Sequence, residues 1–189
     1  LSNFEANLDY RDVNDPAVTI TLPLDEEFQG SKASLLAWTT TPWTLPSNTA
    51  LTIGEKIDYH IVKTANRYTG EACVVVLAAA LHGKHFGGKK APESEALTTV
   101  KGADLVGLRY EQLIDWAQPM DAPEEAFRVI PGDFVTTEDG TGIVHTAAAS
   151  QLGQMLVKIC LADSIPLVSV VRRPEQVALL RSLGAEYLA

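Results

Sequence analysis

Nowhere does the sequence string together the roughly 18 to 20 apolar residues that a membrane-spanning helix needs, so no membrane segment is expected. The opening Leu1-Ser-Asn-Phe-Glu has neither a basic start nor an apolar stretch, and so is no signal peptide. It also lacks Met, which reads as an excised, recombinant fragment. Cysteine is scarce. Cys73 and Cys160 lie far apart in apolar runs, and both are expected as buried free thiols of a cytoplasmic protein. Basic residues are few: 15 Lys and Arg face 24 Asp and Glu, for a net charge of −9. From Val144 onward the charges nearly balance, so the deficit of positive charge lies in the first 143 residues. An acidic body excludes strong non-specific nucleic-acid binding, which needs clustered Lys and Arg. It leaves room for a site that takes only the end of an RNA. His82 and His85 form an HxxH with no Cys or acidic residue nearby, which reads as a surface loop and not as a metal site. No metal is expected, and neither an internal repeat nor a low-complexity segment is present.

What the chain does have is 46 % apolar and 21 % charged residues, the balance of a globular protein with a sizeable core. Val18, Ile20 and Leu22 alternate with threonines, predicting a half-buried strand. Strands are also predicted at 34–40, 49–53, 58–64 and 72–78, the last an apolar β-branched run that belongs in the middle of a sheet. Residues 79–86 read as a short helix or turn, 87–92 as an exposed loop, 103–113 as strand or helix, and 120–125 as a loop. Three more strands are predicted at 127–130, 134–137 and 143–147, the last two joined by the tight hairpin turn Glu138-Asp-Gly-Thr-Gly142. Short strands with few helices indicate an all-β or α+β barrel-like body.

Within it, Trp38-Thr-Thr-Thr-Pro-Trp-Thr-Leu-Pro-Ser-Asn48 combines three consecutive threonines with Pro42 and Pro46, which are expected to stop any helix and stiffen the turn. Hydroxyls on a fixed turn suit a small polar ligand. A strand running into a proline-rich loop is the competing reading, because Thr is common in strands. The order of residues favours the first. The peptide resembles the Thr-rich motif of the editing domain inserted in isoleucyl-tRNA synthetase, and Gly140-Thr-Gly-Ile-Val-His145-Thr-Ala147 resembles that domain's second motif. The resemblance covers about residues 1–147. It implies hydrolysis of valine wrongly attached to tRNA, with the aminoacylated 3′ end of the tRNA as partner and no cofactor required. It also implies that Thr39, Thr40, Thr41, Trp43, Thr44 and Asn48 hold the terminal adenosine and the amino acid and place the attacking water. His145 would line the amino-acid pocket and help exclude isoleucine; the alternative is a strand histidine satisfied by its own hydrogen bonds. Where the family carries an acid that binds the substrate ammonium, this chain has Gln154, which implies weak or no deacylation.

From Ser150 the pattern changes. Ser150 is a good N-cap, and Leu152, Met155, Leu156, Ile159 and Cys160 follow at helical spacing. Residues 165–171 form a continuous apolar run, the mark of a strand buried on both faces. Pro174 suits a helix start and Gly184 a helix end. With 143–147 in front, the order is strand, helix, strand, helix, strand, a parallel β-α-β-α-β unit. Residues 143–189 resemble the cofactor segment of zinc-independent medium-chain dehydrogenases/reductases. Ala148, Ser150 and Gly153 stand where that family has its phosphate-binding glycines. Arg172 and Arg173 suit the 2′-phosphate of NADP, although a solvated loop is the simpler reading of the pair.

Both resemblances claim 143–147. The reading favoured on sequence is therefore an engineered chimera, a scaffold without efficient catalysis. Its fold would be a mixed α+β and α/β architecture, with the β-barrel-like editing body (1–147) continued through a shared strand into a Rossmann-like unit (143–189). The strand at 143–147 would pair antiparallel with 134–137 and parallel with 165–171. Residual aminoacyl-tRNA deacylation, or binding of aminoacyl-adenosine, and weak NADP binding are the alternatives. An exposed last strand would invite homodimerisation by edge pairing.

Overall fold

The computed structural model describes residues 17–115 and 123–147, and the backbone of Val168–Ser169 and Tyr187–Leu188. The body is a mixed sheet of eight strands: β1 (Val18–Pro23), β2 (Ser34–Thr39), β3 (Asn48–Ile53), β4 (Asp58–Ala65), β5 (Ala72–Ala78), β6 (Glu95–Lys101), β7 (Arg128–Pro131) and β8 (Ile143–Ala147). Their spatial order is β6-β4-β5-β2-β8-β3-β7, with β1 also paired to β2. Three of the junctions are parallel: β2 with β5, β2 with β8, and β3 with β7. β9 (Val168–Ser169) and β10 (Tyr187–Leu188) form a separate parallel pair.

β2 organises the body. One edge pairs antiparallel with β1 along its whole length, Val18 opposite Thr39 through Pro23 opposite Ser34. The other edge is shared. β5 takes Ser34 and Leu35, whereas β8 takes Trp38. Two strands leaving one edge at different points must diverge, which curls the sheet into a half-barrel and opens a gap beyond the C-terminal end of β2. Side chains on the concave side form the main core, including Leu22, Leu35, Ala37, Leu51, Ile53, Tyr59, Ile61, Val76 and Ile143. Leu36, Val62, Val75 and Leu77 pack on the opposite face with Phe86 of α1 (His82–Phe86). β2 and β5 are thus covered on both faces, which explains their continuous apolar runs.

Strands at 18–22, 34–40, 49–53, 58–64, 72–78 and 143–147 correspond to observed elements, and β5 lies inside the sheet as predicted. Four expectations need correction. Residues 134–137 form no strand. β8 already pairs with β3 on one edge and β2 on the other, so no edge remains for a hairpin partner. Of the expected strand 165–171 only β9 is described, and it pairs with β10 and not with β8. Pro42 and Pro46 do not prevent a helix: Pro42–Ser47 is a 3-10 helix with Pro42 at its start, where the fixed φ of proline suits the geometry. Residues 103–113 are neither strand nor helix but a 3-10 turn followed by isolated bridges. β6 was not foreseen: its side chains are exposed except at Val100, so it lacks the alternation that marks a half-buried strand. The two helices expected after Ser150 lie outside the described residues.

The turn before β8 is held from below. Thr141 is buried and its carbonyl accepts the N–H of Ala78 at 2.8 Å. Tyr59, fully buried, donates its hydroxyl to the Gly142 carbonyl at 2.6 Å. Burial pushes that phenol up to about 12, so it remains a donor. Gly142 has φ +72°, and an added Cβ would lie 2.4 Å from the Ala78 Cβ. Gly142→Ala should therefore destabilise the protein by about 2–4 kcal/mol, from left-handed strain plus overpacking; the shift in a urea unfolding midpoint measures it.

Candidate functional site

Beyond the end of β2 lies an open cleft of about 390 Å³. One wall is Trp38, Thr39, Thr40, Thr41 and Thr44; the other is Gly140 to His145, with Phe134, Thr136 and Asp139 at the side. Each wall has a local cause. β2 ends at Thr39, and the 3-10 helix that begins at Pro42 turns the threonines across the sheet end. The opposite wall is the glycine turn leading into β8. Short helix α1 braces it: His85 Nε2 donates to the Gly140 carbonyl at 2.7 Å, and Lys84 pairs with Asp139 at 2.5 Å. Gly140 itself packs so closely on the Trp38 ring that a Cβ there would lie 3.0 Å from it.

The threonines form a hydrogen-bonded set. Thr39 Oγ1 accepts the Thr41 N–H at 3.0 Å and lies 3.2 Å from Thr41 Oγ1. Thr41 Oγ1 lies 3.4 Å from Thr44 Oγ1. Thr44 donates its hydroxyl proton to the Thr41 carbonyl at 2.7 Å and meets His145 Nε2 at 3.2 Å. On the other side of the imidazole, Nδ1 lies 2.8 Å from Asn48 Nδ2, which also donates to the Ala50 carbonyl at 3.0 Å. Asn48 Oδ1 accepts the Tyr110 hydroxyl at 2.7 Å.

These contacts decide the state of His145 from both ends. A hydroxyl has one proton, and Thr44 commits it to the Thr41 carbonyl, so His145 Nε2 must donate to Thr44. The Asn48 amide nitrogen is a donor, so His145 Nδ1 must accept. The ring is neutral, with its proton on Nε2. Burial holds its pKa below the ordinary 6.5, against the raising effect of the Thr44 backbone. Protonating Nδ1 would also set two donors against each other. With both nitrogens engaged, the ring has none free to shuttle a proton.

Thr39, Thr40, Thr41, Thr44 and His145, 101 residues from Thr44, are brought together at the cleft. Asn48 does not line it but is buried behind His145. Trp43 is 63 % exposed and also absent from the lining. Phe134, Thr136, Asp139 and Tyr110 carried no signal in sequence, because it takes the fold to bring them here. His82 is not a surface-loop residue either: its Nδ1 lies 3.3 Å from His60 Nδ1 and its Nε2 3.0 Å from Ser94 Oγ. Among the described residues no three His, Cys, Asp or Glu side chains are grouped so as to hold a metal. Cys73 is half-buried, not buried as expected, because it packs at the margin of the second cluster; burial still pushes its thiol up. Ala148, Ser150, Gly153, Gln154, Cys160, Arg172 and Arg173 lie outside the described residues.

No family model matches the chain. Among curated proteins, the isoleucine–tRNA ligase of Bacteroides thetaiotaomicron is 43 % identical over 92 % of this chain and 17 % of its own length. That of Cytophaga hutchinsonii is 47 % identical over 78 % of this chain and 14 % of its own. The chain spans about one sixth of the length of the first of these relatives. Among solved structures, the Plasmodium knowlesi cytosolic leucyl-tRNA synthetase editing domain superposes with a TM-score of 0.53 at 14 % identity, covering 78 % of this chain and 63 % of that one. The crystal structure of GlLeuRS-CP1 gives 0.52 at 18 %, covering 90 % and 65 %. At such identities these two speak for the fold alone. The chain resembles the editing segment of isoleucyl-tRNA synthetase. An alignment over 92 % of the chain cannot stop at Ala147. That overturns the engineered chimera, and with it the expectation of a scaffold without efficient catalysis. The likeness of residues 143–189 to reductases rests on their sequence alone.

The neutral histidine has a consequence for stability. Its folded pKa is depressed, so its contribution is complete above the ordinary 6.5. As pH falls below that value the unfolded chain takes up a proton that the folded site refuses, and stability declines. His82, also lowered by burial and by His60, adds to the same window. Urea midpoints should fall between pH 7 and pH 5, and His145→Gln should flatten part of that fall.

Proposed function

We propose that this segment is an aminoacyl-tRNA ester hydrolase module that removes valine from the tRNA for isoleucine. The observation that carries the proposal is the hydrogen-bonded row Thr39, Thr41, Thr44 and His145 along one open cleft. The similarity to isoleucine–tRNA ligases supports it. A cleft of this size accommodates the terminal adenosine with its amino acid. A net charge of −9 disfavours contact with the body of a tRNA, which fits a site for the 3′ end alone.

Chemically, the oxygen of water attacks the ester carbonyl carbon, the bond to the ribose oxygen breaks, and a proton from the water passes to that oxygen. The threonines position the water and the ester. Thr44's proton is committed to a backbone carbonyl and one of its lone pairs to His145, so the second lone pair is the one that can accept from water. His145 acts as a wall of the amino-acid subsite and not as a base, since both ring nitrogens are occupied. Such a second site is needed because one methylene is worth only about 1–3 kcal/mol to a binding pocket. Cytoplasmic residence belongs to the same proposal: a similar protein of Dictyostelium discoideum, 41 % identical over 92 % of this chain and 15 % of its own length, is named a probable cytoplasmic isoleucine–tRNA ligase.

Deacylation of valyl-tRNA by the purified chain tests this reading. Thr41→Val should slow it by about tenfold or more, the worth of one well-placed hydrogen bond, and Asn48→Ala should do the same through His145. Release of valine no faster than in buffer would refute the hydrolase.

A further inference from the structure

Asn48 is the hinge of the hydrogen-bond chain, and its orientation decides the tautomer of His145. An amide can be turned over; with oxygen and nitrogen exchanged it would accept from an Nδ1–H and so favour the opposite tautomer. Two groups prevent this. The Ala50 carbonyl can only accept, so it requires the amide nitrogen on its side. The Tyr110 hydroxyl donates to Oδ1 at 2.7 Å; although a phenol can also accept, turning the amide over would take that acceptor away from its buried proton. Tyr110 is 1 % exposed and lies 62 residues from Asn48 in sequence. It belongs to the irregular segment whose N–H bonds to the Phe127 carbonyl at 3.0 Å, and its ring packs edge-on against Phe127 with centroids 6.3 Å apart.

We infer that Tyr110 is a positioning residue of this site: through the Asn48 amide, its hydroxyl holds the His145 ring as the Nε2–H tautomer and so fixes which way the Thr44 hydroxyl points. Burial raises the Tyr110 phenol well above its ordinary value, so it remains a donor at any working pH. The ring it acts on is surrounded by groups that do not compete. β3 presents Asn48 and Leu51, and the 3-10 helix presents Thr44. The carboxylate that shares the cleft, Asp139, is held by Lys84. His85 and Tyr59 are occupied by the carbonyls of Gly140 and Gly142. The consequence for catalysis, though not the tautomer itself, rests on the hydrolase reading.

The test is nitrogen-resolved NMR of the His145 imidazole in the whole chain, followed across pH, in the parent protein and in Tyr110→Phe. The variant keeps the ring and its packing and removes only the donor. The parent should show the Nε2–H tautomer and a titration midpoint below the ordinary histidine value. Tyr110→Phe should populate the Nδ1–H form and move the midpoint upward. If valyl-tRNA is hydrolysed, the acid limb of its pH profile should move in the same direction. A lower melting temperature with unchanged tautomer, midpoint and profile would reduce Tyr110 to a packing residue and overturn the proposal. Asn48→Asp is a second arm should Tyr110→Phe fold poorly. A carboxylate can only accept, so it must draw the proton to Nδ1, and an unchanged ring there would equally overturn it. If valyl-tRNA is not hydrolysed but the ring behaves as described, the hydrolase fails and the role of Tyr110 in fixing the tautomer stands.

Discussion

The structure depends on β8 lying between β2 and β3. Its register, His145 opposite Leu51 and Val144 opposite both Thr52 and Trp38, brings the two halves of the cleft together. From that position β8 delivers the glycine turn to one side and the imidazole to the other. It also separates the C-terminal half of β2 from β5, and this divergence creates the gap that the threonines line. Backbone pairing fixes such a register firmly, because a shift by one residue would send His145 to the opposite face of the sheet.

The polar groups of the site are organised from the interior outward. A buried phenol and a backbone carbonyl orient an amide, the amide sets a tautomer, and the tautomer sets the direction of a hydroxyl at the cleft. Within a low-dielectric interior each of these bonds is electrostatically stronger than in water, and an unpaired member is correspondingly costly. The arrangement leaves acceptor lone pairs available at the cleft and keeps the histidine neutral. Apart from Asp139, which Lys84 pairs, the residues lining the cleft carry no charge, and the proposed ester hydrolysis suits such a site.

Much of the body was legible in sequence because burial leaves a pattern. Val18, Ile20 and Leu22 alternate along a strand with one buried face, and Ala72–Ala78 is continuously apolar because both faces become covered towards its end. β6 left no pattern, since Glu95–Lys101 exposes nearly every side chain and is held by backbone pairing to β4. The strand expected at 134–137 failed for a different reason. Phe134-Val-Thr-Thr137 is made of strand-favouring residues, but pairing is decided by which edges are free, and those of β8 were taken. The two motifs of the site were recognisable in order along the chain, yet the contact between Thr44 and His145 joins residues 101 apart. Tyr110 was beyond reach altogether: nothing local distinguishes it from any core tyrosine. The supposed splice at Ala147 came from reading a change of pattern as a change of parentage.

Whether the cleft is the substrate site is tested most directly by a crystal structure with a non-hydrolysable valyl-adenosine, its ester replaced by an amide. The adenosine and valyl groups are expected between Thr39–Thr44 and Gly140–His145, with the valine side chain against the neutral His145 ring. Binding elsewhere on the sheet, or a valyl group turned away from His145 into solvent, would contradict it.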